Sequence, residues 1–187
     1  MPAELSVQHS PGLVGPQAII SPHALSLLSS LQYQGRRNDC GPFTIATVLG
    51  ALTGSAPDGV RIAEEMNRPT WRGLLPVIRR IPNSATFPWG MVDFFRRCGL
   101  PARWRFLRSS AYLRAALPGR KVLLPVVGGL LPPWAHIMSL VLYDSLGGWG
   151  FANTQRDDQR IHWMDDQTFE SQWRAMGRLL IEVTAPE

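Results

Sequence analysis

Apolar and polar residues alternate in two different rhythms along this chain, helical in the first half and strand-like in the second. Residues 1–20 show weak periodicity and carry Pro2, Pro11 and Pro16, which predicts an N-terminal arm ahead of a single domain over 21–187. Ser21 and Pro22 open a short helix with Leu25, Leu27, Leu28 and Leu31 on its apolar face. The run from Cys40 to Thr53 is almost wholly apolar, with Pro42 suited to a first turn and Gly54 to a stop; it predicts a buried central helix with Cys40 at its N-terminus. Asp58 to Asn67 and Pro88 to Cys98 read as further helices.

From Ala102 the character changes. A stretch of alternating residues and a short helix over 109–117 lead into strand-length runs at 121–127, 136–143, 148–153 and 160–164, each bounded by turn residues. A helix over 165–174, with Phe169 and Trp173 one turn apart, precedes a closing strand at 178–184. The pairs Gly128-Gly129 and Gly147-Gly148 read as turns. The pattern predicts an α+β domain, an N-terminal helical lobe packed on a C-terminal antiparallel sheet.

Composition narrows the function classes. At 45% hydrophobic and 18% charged the chain has the apolar content of one folded domain, which excludes disordered and collagen-like classes. Residues 122–143 lack Asp, Glu, Lys and Arg, but Pro125, Gly128, Gly129, Pro132, Pro133 and His136 interrupt them, so they read as two buried strands around a loop rather than a membrane span. The N-terminus has no basic segment ahead of its apolar stretch, which points to a cytoplasmic protein. Residues 1–121 hold 15 basic and 6 acidic side chains, residues 122–187 hold 4 and 8. Arg96 to Arg114, interleaved with Trp104 and Phe106, reads as a solvated surface, so nucleic acid is not favoured as a partner. Neither the two Cys nor the four His follow metal-ligand spacing, and no metal or organic cofactor is expected.

The candidate chemistry centres on Cys40. A cysteine at a helix N-terminus gains from the positive end of the helix dipole, which can lower a thiol pKa from ~8.5 to ~3.5–7.5. A thiolate nucleophile needs an imidazole to exchange its proton, an acceptor to fix the imidazole tautomer, and donors for an oxyanion. His136, Asn153 and Gln34 offer these roles. A hairpin closing at Asp144-Ser145 puts Asn153 opposite His136, with a bulge at Gly147 or Gly148 able to shift the register by one. Gln34, six residues before Cys40, can fold back over the helix start.

The motif Q-x-x-x-x-D-C-G at Gln34 to Gly41, the W-A-H of Trp134 to His136 and the G-W-G-F-A-N of Gly148 to Asn153 resemble papain-like cysteine peptidases, and among them the double-glycine (bacteriocin-processing) peptidase-like domains. The resemblance covers about Leu31 to Thr184. It implies a papain-like fold with Cys40 as nucleophile, His136 as general base and acid, Asn153 as imidazole orienter and Gln34 as oxyanion donor. Double-glycine peptidases usually present Asp where this chain has Asn153, which is the papain choice. Their transporter-linked members carry membrane and nucleotide-binding segments, whereas this sequence has no G-x-x-x-x-G-K-[ST] loop.

Trp134 and Trp149 are expected at the cleft, to bind substrate or to shield the imidazole. His162 reads as structural, Cys98 as packing, and Asp39 as a capping or loop-fixing residue; Asp144, Asp157 and Asp158 read as turn residues and as alternatives to Asn153. The expected function is a cysteine peptidase or amidase acting on a peptide or protein through a Cys40 thioester. Two alternatives use the same residues, an acyltransferase and a non-catalytic peptide-binding module.

Overall fold

A computed structural model describes residues 18–55 and 57–186, so the predicted arm lies outside the described residues except at its end. In chain order the elements are β1 (Ile19–Ile20), α1 (Ala24–Ser29), α2 (Cys40–Thr53), α3 (Gly59–Met66), β2 (Thr70–Arg72), β3 (Leu75–Val77), β4 (Arg80–Ile81), β5 (Ala85–Thr86), α4 (Pro88–Arg97), β6 (Ala102–Arg105), α5 (Ser110–Ala116), β7 (Lys121–Leu130), β8 (Pro133–Ile137), β9 (Ser139–Asp144), β10 (Gly148–Ala152), β11 (His162–Met164), α6 (Asp166–Ala175) and β12 (Leu180–Thr184). The architecture is α+β as expected. Ile19 and Ile20 pair with Tyr143 and Leu142 of β9, so the sheet begins slightly earlier than Ser21.

The main sheet runs β11-β10-β9-β7-β12-β6, with β1 added on β9 and β8 on β7. Its central strands are apolar on both faces because helices cover both. Val122, Leu124, Val141, Ile181 and Val183 pack with Leu27, Ile45, Val48 and Phe95 of the helical lobe. Leu123, Leu140, Phe151 and Leu180 pack with Leu113 of α5 and with Phe169 and Trp173 of α6. This second layer is aromatic: Trp149, Phe169 and Trp173 follow one another at centroid spacings of 4.9 and 5.3 Å.

Helix α2 starts and stops where its sequence dictates. It begins at Cys40 and ends on Gly54 at φ 72°, whose N–H bonds the Gly50 carbonyl at 3.1 Å, and Gly41 to Leu49 are all buried. Gly41 is required sterically: a Cβ there would lie 2.6 Å from Thr86 of β5.

Several expectations are corrected. Residues 136–143 do not form one strand; the run breaks at Met138 into β8, which pairs with the distal half of β7, and β9, which meets β7 at Leu123–Leu140. Gly128 and Gly129 lie inside β7, opposite Ala135 and Trp134, rather than in a turn. A Cβ on Gly128 would lie 2.3 Å from the Trp134 carbonyl oxygen, so close backbone approach is what this glycine provides. Gly147 and Gly148 do occupy the β9–β10 turn region, with Gly148 at φ 83°. The hairpins β2–β3 and β4–β5 have no counterpart in the periodicity, being two or three residues per strand.

Candidate active site

The N-terminus of α2 is held by a brace from the β4–β5 hairpin. Asp39, immediately before Cys40, makes no capping bond; its carboxylate pairs with Arg80 of β4, and both side chains are buried. Asn38 donates from Nδ2 to the Ser84 carbonyl at 3.0 Å. The preceding Arg79 is buried as well and donates to the carbonyls of Glu65 and Arg68. Asp39 thus fixes a loop, one of the two roles expected of it, through an arginine the sequence pattern does not mark. The turn pair Pro82 and Asn83, with Asn83 at φ 54°, is the local signal from which this hairpin is readable.

His136 lies on β8 and Asn153 just beyond β10, and the His136 Nε2 to Asn153 Oδ1 distance is 2.8 Å. The expected hairpin register is not the one formed. Tyr143 pairs with Trp149 and Ser139 with Ala152, and the irregularity falls between Gly150 and Phe151, not at Gly147 or Gly148. Asn153 therefore follows the partner of Ser139, and the two side chains rather than opposed backbone positions close the contact. Asn153 Oδ1 also accepts the Gln155 backbone N–H at 3.0 Å, which identifies that atom as the amide oxygen. Nε2 must then donate, which leaves Nδ1 as the unprotonated nitrogen of a neutral ring. Nδ1 is buried and has no hydrogen-bond partner among the described residues.

Cys40 and His136 line one cavity of about 470 Å³, with Trp134 on its wall. The Ile137 amide, next to His136 in the chain, acts on the Cys40 sulfur together with the amides of Gly41 and Cys40 itself. These amides favour thiolate, as the helix-start argument predicts. Burial outweighs them and pushes the Cys40 thiol above its ordinary value, with Asp39 adding in the same direction. The expected lowering is corrected on that ground. Burial likewise holds the His136 imidazole below its ordinary value, against the favourable hydrogen bond to Asn153.

Gln34 is buried and bridges the two lobes. Its backbone N–H bonds the Thr154 carbonyl at 2.8 Å, its Oε1 accepts from the Thr154 hydroxyl at 2.7 Å, and its Nε2 donates to the Arg37 carbonyl at 2.7 Å. It does not line the Cys40 cavity. Trp149, expected at the cleft, is instead 1% exposed and packed against Tyr143 and Phe169, because its strand position faces the α6 layer. Asp144 accepts the Leu146 N–H and Asp158 pairs with Arg156, in keeping with turn roles. His162 lines a second cavity that also reaches His136 and Asn153. Both cysteines are free, and Cys98 is exposed at the end of α4 rather than packed. Of the arginines between 96 and 114, Arg97 pairs with Glu65 and Asp93, and Arg103 with Glu182.

Among the described residues there is no group of three or more metal-ligating side chains and no helix long and apolar enough to cross a membrane. No family model matches the sequence, and no curated protein matches it. The fold does have solved counterparts. A C39-like peptidase from Bacillus anthracis superposes with a TM-score of 0.66 at 14% identity, covering 91% of this chain and 99% of that one. The peptidase domain of Streptococcus ComA, a bifunctional ABC transporter involved in a quorum-sensing pathway, gives 0.54 at 16% identity over 84% and 98%. The fold of this chain is therefore that of C39, papain-like peptidases.

Proposed function

We propose that the chain is a cysteine peptidase or amidase in which Cys40 is the nucleophile and His136 its base. The observation that carries this reading is the 2.8 Å contact of His136 Nε2 with Asn153 Oδ1: Nε2–H donates to the amide oxygen, so the Nδ1 lone pair is free beside the cavity that Cys40 lines. Burial opposes a charge on either group alone. A proton passed from Sγ to Nδ1 creates both charges together, and each then stabilises the other.

The thiolate attacks the substrate carbonyl, and the oxyanion takes the Cys40 backbone N–H at the positive end of α2. Gln34, expected as a second donor, is instead bound to Arg37 and Thr154 and lies off the Cys40 cavity, so the helix-start amide is the donor this reading rests on. Collapse of the tetrahedral intermediate passes the Nδ1 proton to the departing nitrogen and leaves a thioester on Cys40. Water, deprotonated by His136, then releases the acid and restores the thiol. Asn153 holds the ring in place but, being neutral, stabilises the imidazolium by its dipole only.

Iodoacetamide alkylation read by mass spectrometry at Cys40 and Cys98 tests the pair. Cys40 is expected to react at least about tenfold faster than Cys98 at pH 7, and to lose that excess in His136→Ala. An inert Cys40, or one indifferent to His136, overturns the reading.

A further inference from the structure

Two cavities meet at His136, and their chemistry differs. His136 and Trp134 line both; Cys40 lines only the first and Asn153 only the second. We infer that the second cavity, of about 390 Å³, receives the leaving-group side of the substrate and selects polar residues there, basic over acidic, while the Cys40 cavity takes an apolar residue on the acyl side. The assignment deepens the peptidase reading and rests on it for the direction of the substrate; the contrast between the cavities stands without it.

The direction follows from the chemistry. The acyl carbon becomes bonded to Sγ, while the departing nitrogen collects the proton that His136 carries. The departing half therefore lies on the imidazole side of Sγ, where the second cavity shares the His136 and Trp134 wall with the first.

The lining sets the selectivity. No Asp, Glu, Lys or Arg lines the Cys40 cavity, where Met91, Val126, Leu179 and Ile181 supply an apolar wall. A charged side chain entering it would lose hydration without a partner. The second cavity adds to apolar residues such as Met138 and Trp163 a set the first lacks: Gln155, His162, Gln172 and Asp165. Among the described residues the side-chain amides of Gln155 and Gln172 make no hydrogen bond, so their capacity is available to a bound peptide. His162 is held toward its neutral form by burial and by Arg156. Asp165 is the one lining residue with a full charge at neutral pH; its bonds from Thr168 N and Oγ1, at 2.8 and 2.7 Å, keep its carboxyl below the usual carboxylate range. No Lys or Arg lines this cavity and the nearby Arg156 is paired with Asp158, so the exposed Asp165 carboxylate repels Asp and Glu and attracts Lys and Arg.

A library of decapeptides with randomised positions, digested with the full chain and read at its new N-termini by mass spectrometry, tests this. Lys, Arg and uncharged polar residues are expected over Asp and Glu by about fivefold in the first two positions after the cut, with apolar residues before it. Asp165→Asn keeps an acceptor for the helix cap and should abolish the basic-over-acidic preference; Gln172→Leu should shift the same positions toward apolar residues. New N-termini that mirror the library, or a basic preference that survives Asp165→Asn, overturn the assignment. If nothing is cut, the peptidase reading falls separately. The same library is then panned on Cys40→Ala protein, where an apolar segment followed by a basic one, lost in Asp165→Asn, sustains the cavity assignment, and unselected binding overturns it.

Discussion

The two lobes hold their halves of the site by different physics. On the helical side, Cys40 is positioned by buried charge and by the absence of a side chain: the Asp39–Arg80 pair, the Arg79 bonds to backbone carbonyls and the bare Cα of Gly41 against Thr86. On the sheet side, His136 and Asn153 are held by neutral hydrogen bonds on strands backed by the Trp149–Phe169–Trp173 layer. The comparison teaches that Cys40 sits on a support that fails abruptly when one charge is removed, whereas His136 sits on one that weakens in proportion to lost contact.

The sharpest way to break that comparison is at Arg80. Arg80→Ala strands a buried carboxylate behind Cys40 and should cost about 3–5 kcal/mol in urea unfolding, while the double change Asp39→Leu with Arg80→Met should recover most of it. Equal losses in the single and double variants would mean that packing, not unpaired charge, dominates there. Next in size is Gly41→Ala, whose Cβ meets Thr86; overpacking of this kind costs about 1–3 kcal/mol by the same measurement and should lower Cys40 alkylation along with stability.

The smallest effect is a pH dependence that arises on the sheet side alone. His136 is held below its ordinary value of 6.5, so the native state carries fewer protons than the unfolded chain. Its contribution is complete above about pH 6.5 and is lost as pH falls toward the depressed native value, and His162 acts in the same sense. Glu182, buried between Tyr112, Arg103 and Lys121, is held below 4.5 and loses its contribution only in more acidic solution. Thermal melts from pH 8 to 3 should therefore fall in two stages. The first should shrink in His136→Gln; a single stage below pH 4.5 would show that the histidines do not oppose protonation.

The extent to which the site was legible follows the range of the interactions. Cys40, Pro42 and Gly54 announce α2 through local backbone preferences, and Asp165 announces α6 as its cap; both helices form within a residue of expectation. His136 and Asn153 were recognisable as residue types in motifs, but their register was not, since the turn and the Gly150/Phe151 irregularity together decide it. Trp149 reads like Trp134 in the chain, each beside a motif residue. Only the sheet faces send one to the aromatic core and the other to the wall between two cavities.

What the sequence determined by itself is the α+β order of elements, a cysteine at a helix start and the roster from which the candidate site is drawn, because caps, breakers and hydrophobic periods act between neighbours in the chain. What the tertiary structure decided is the pairing of Asp39 with Arg80 across 41 positions, the tautomer of His136 and the upward shift of the Cys40 thiol. Those depend on burial and on partners brought together from distant segments, and no local pattern in the chain encodes how much water a side chain loses when the two lobes close on each other.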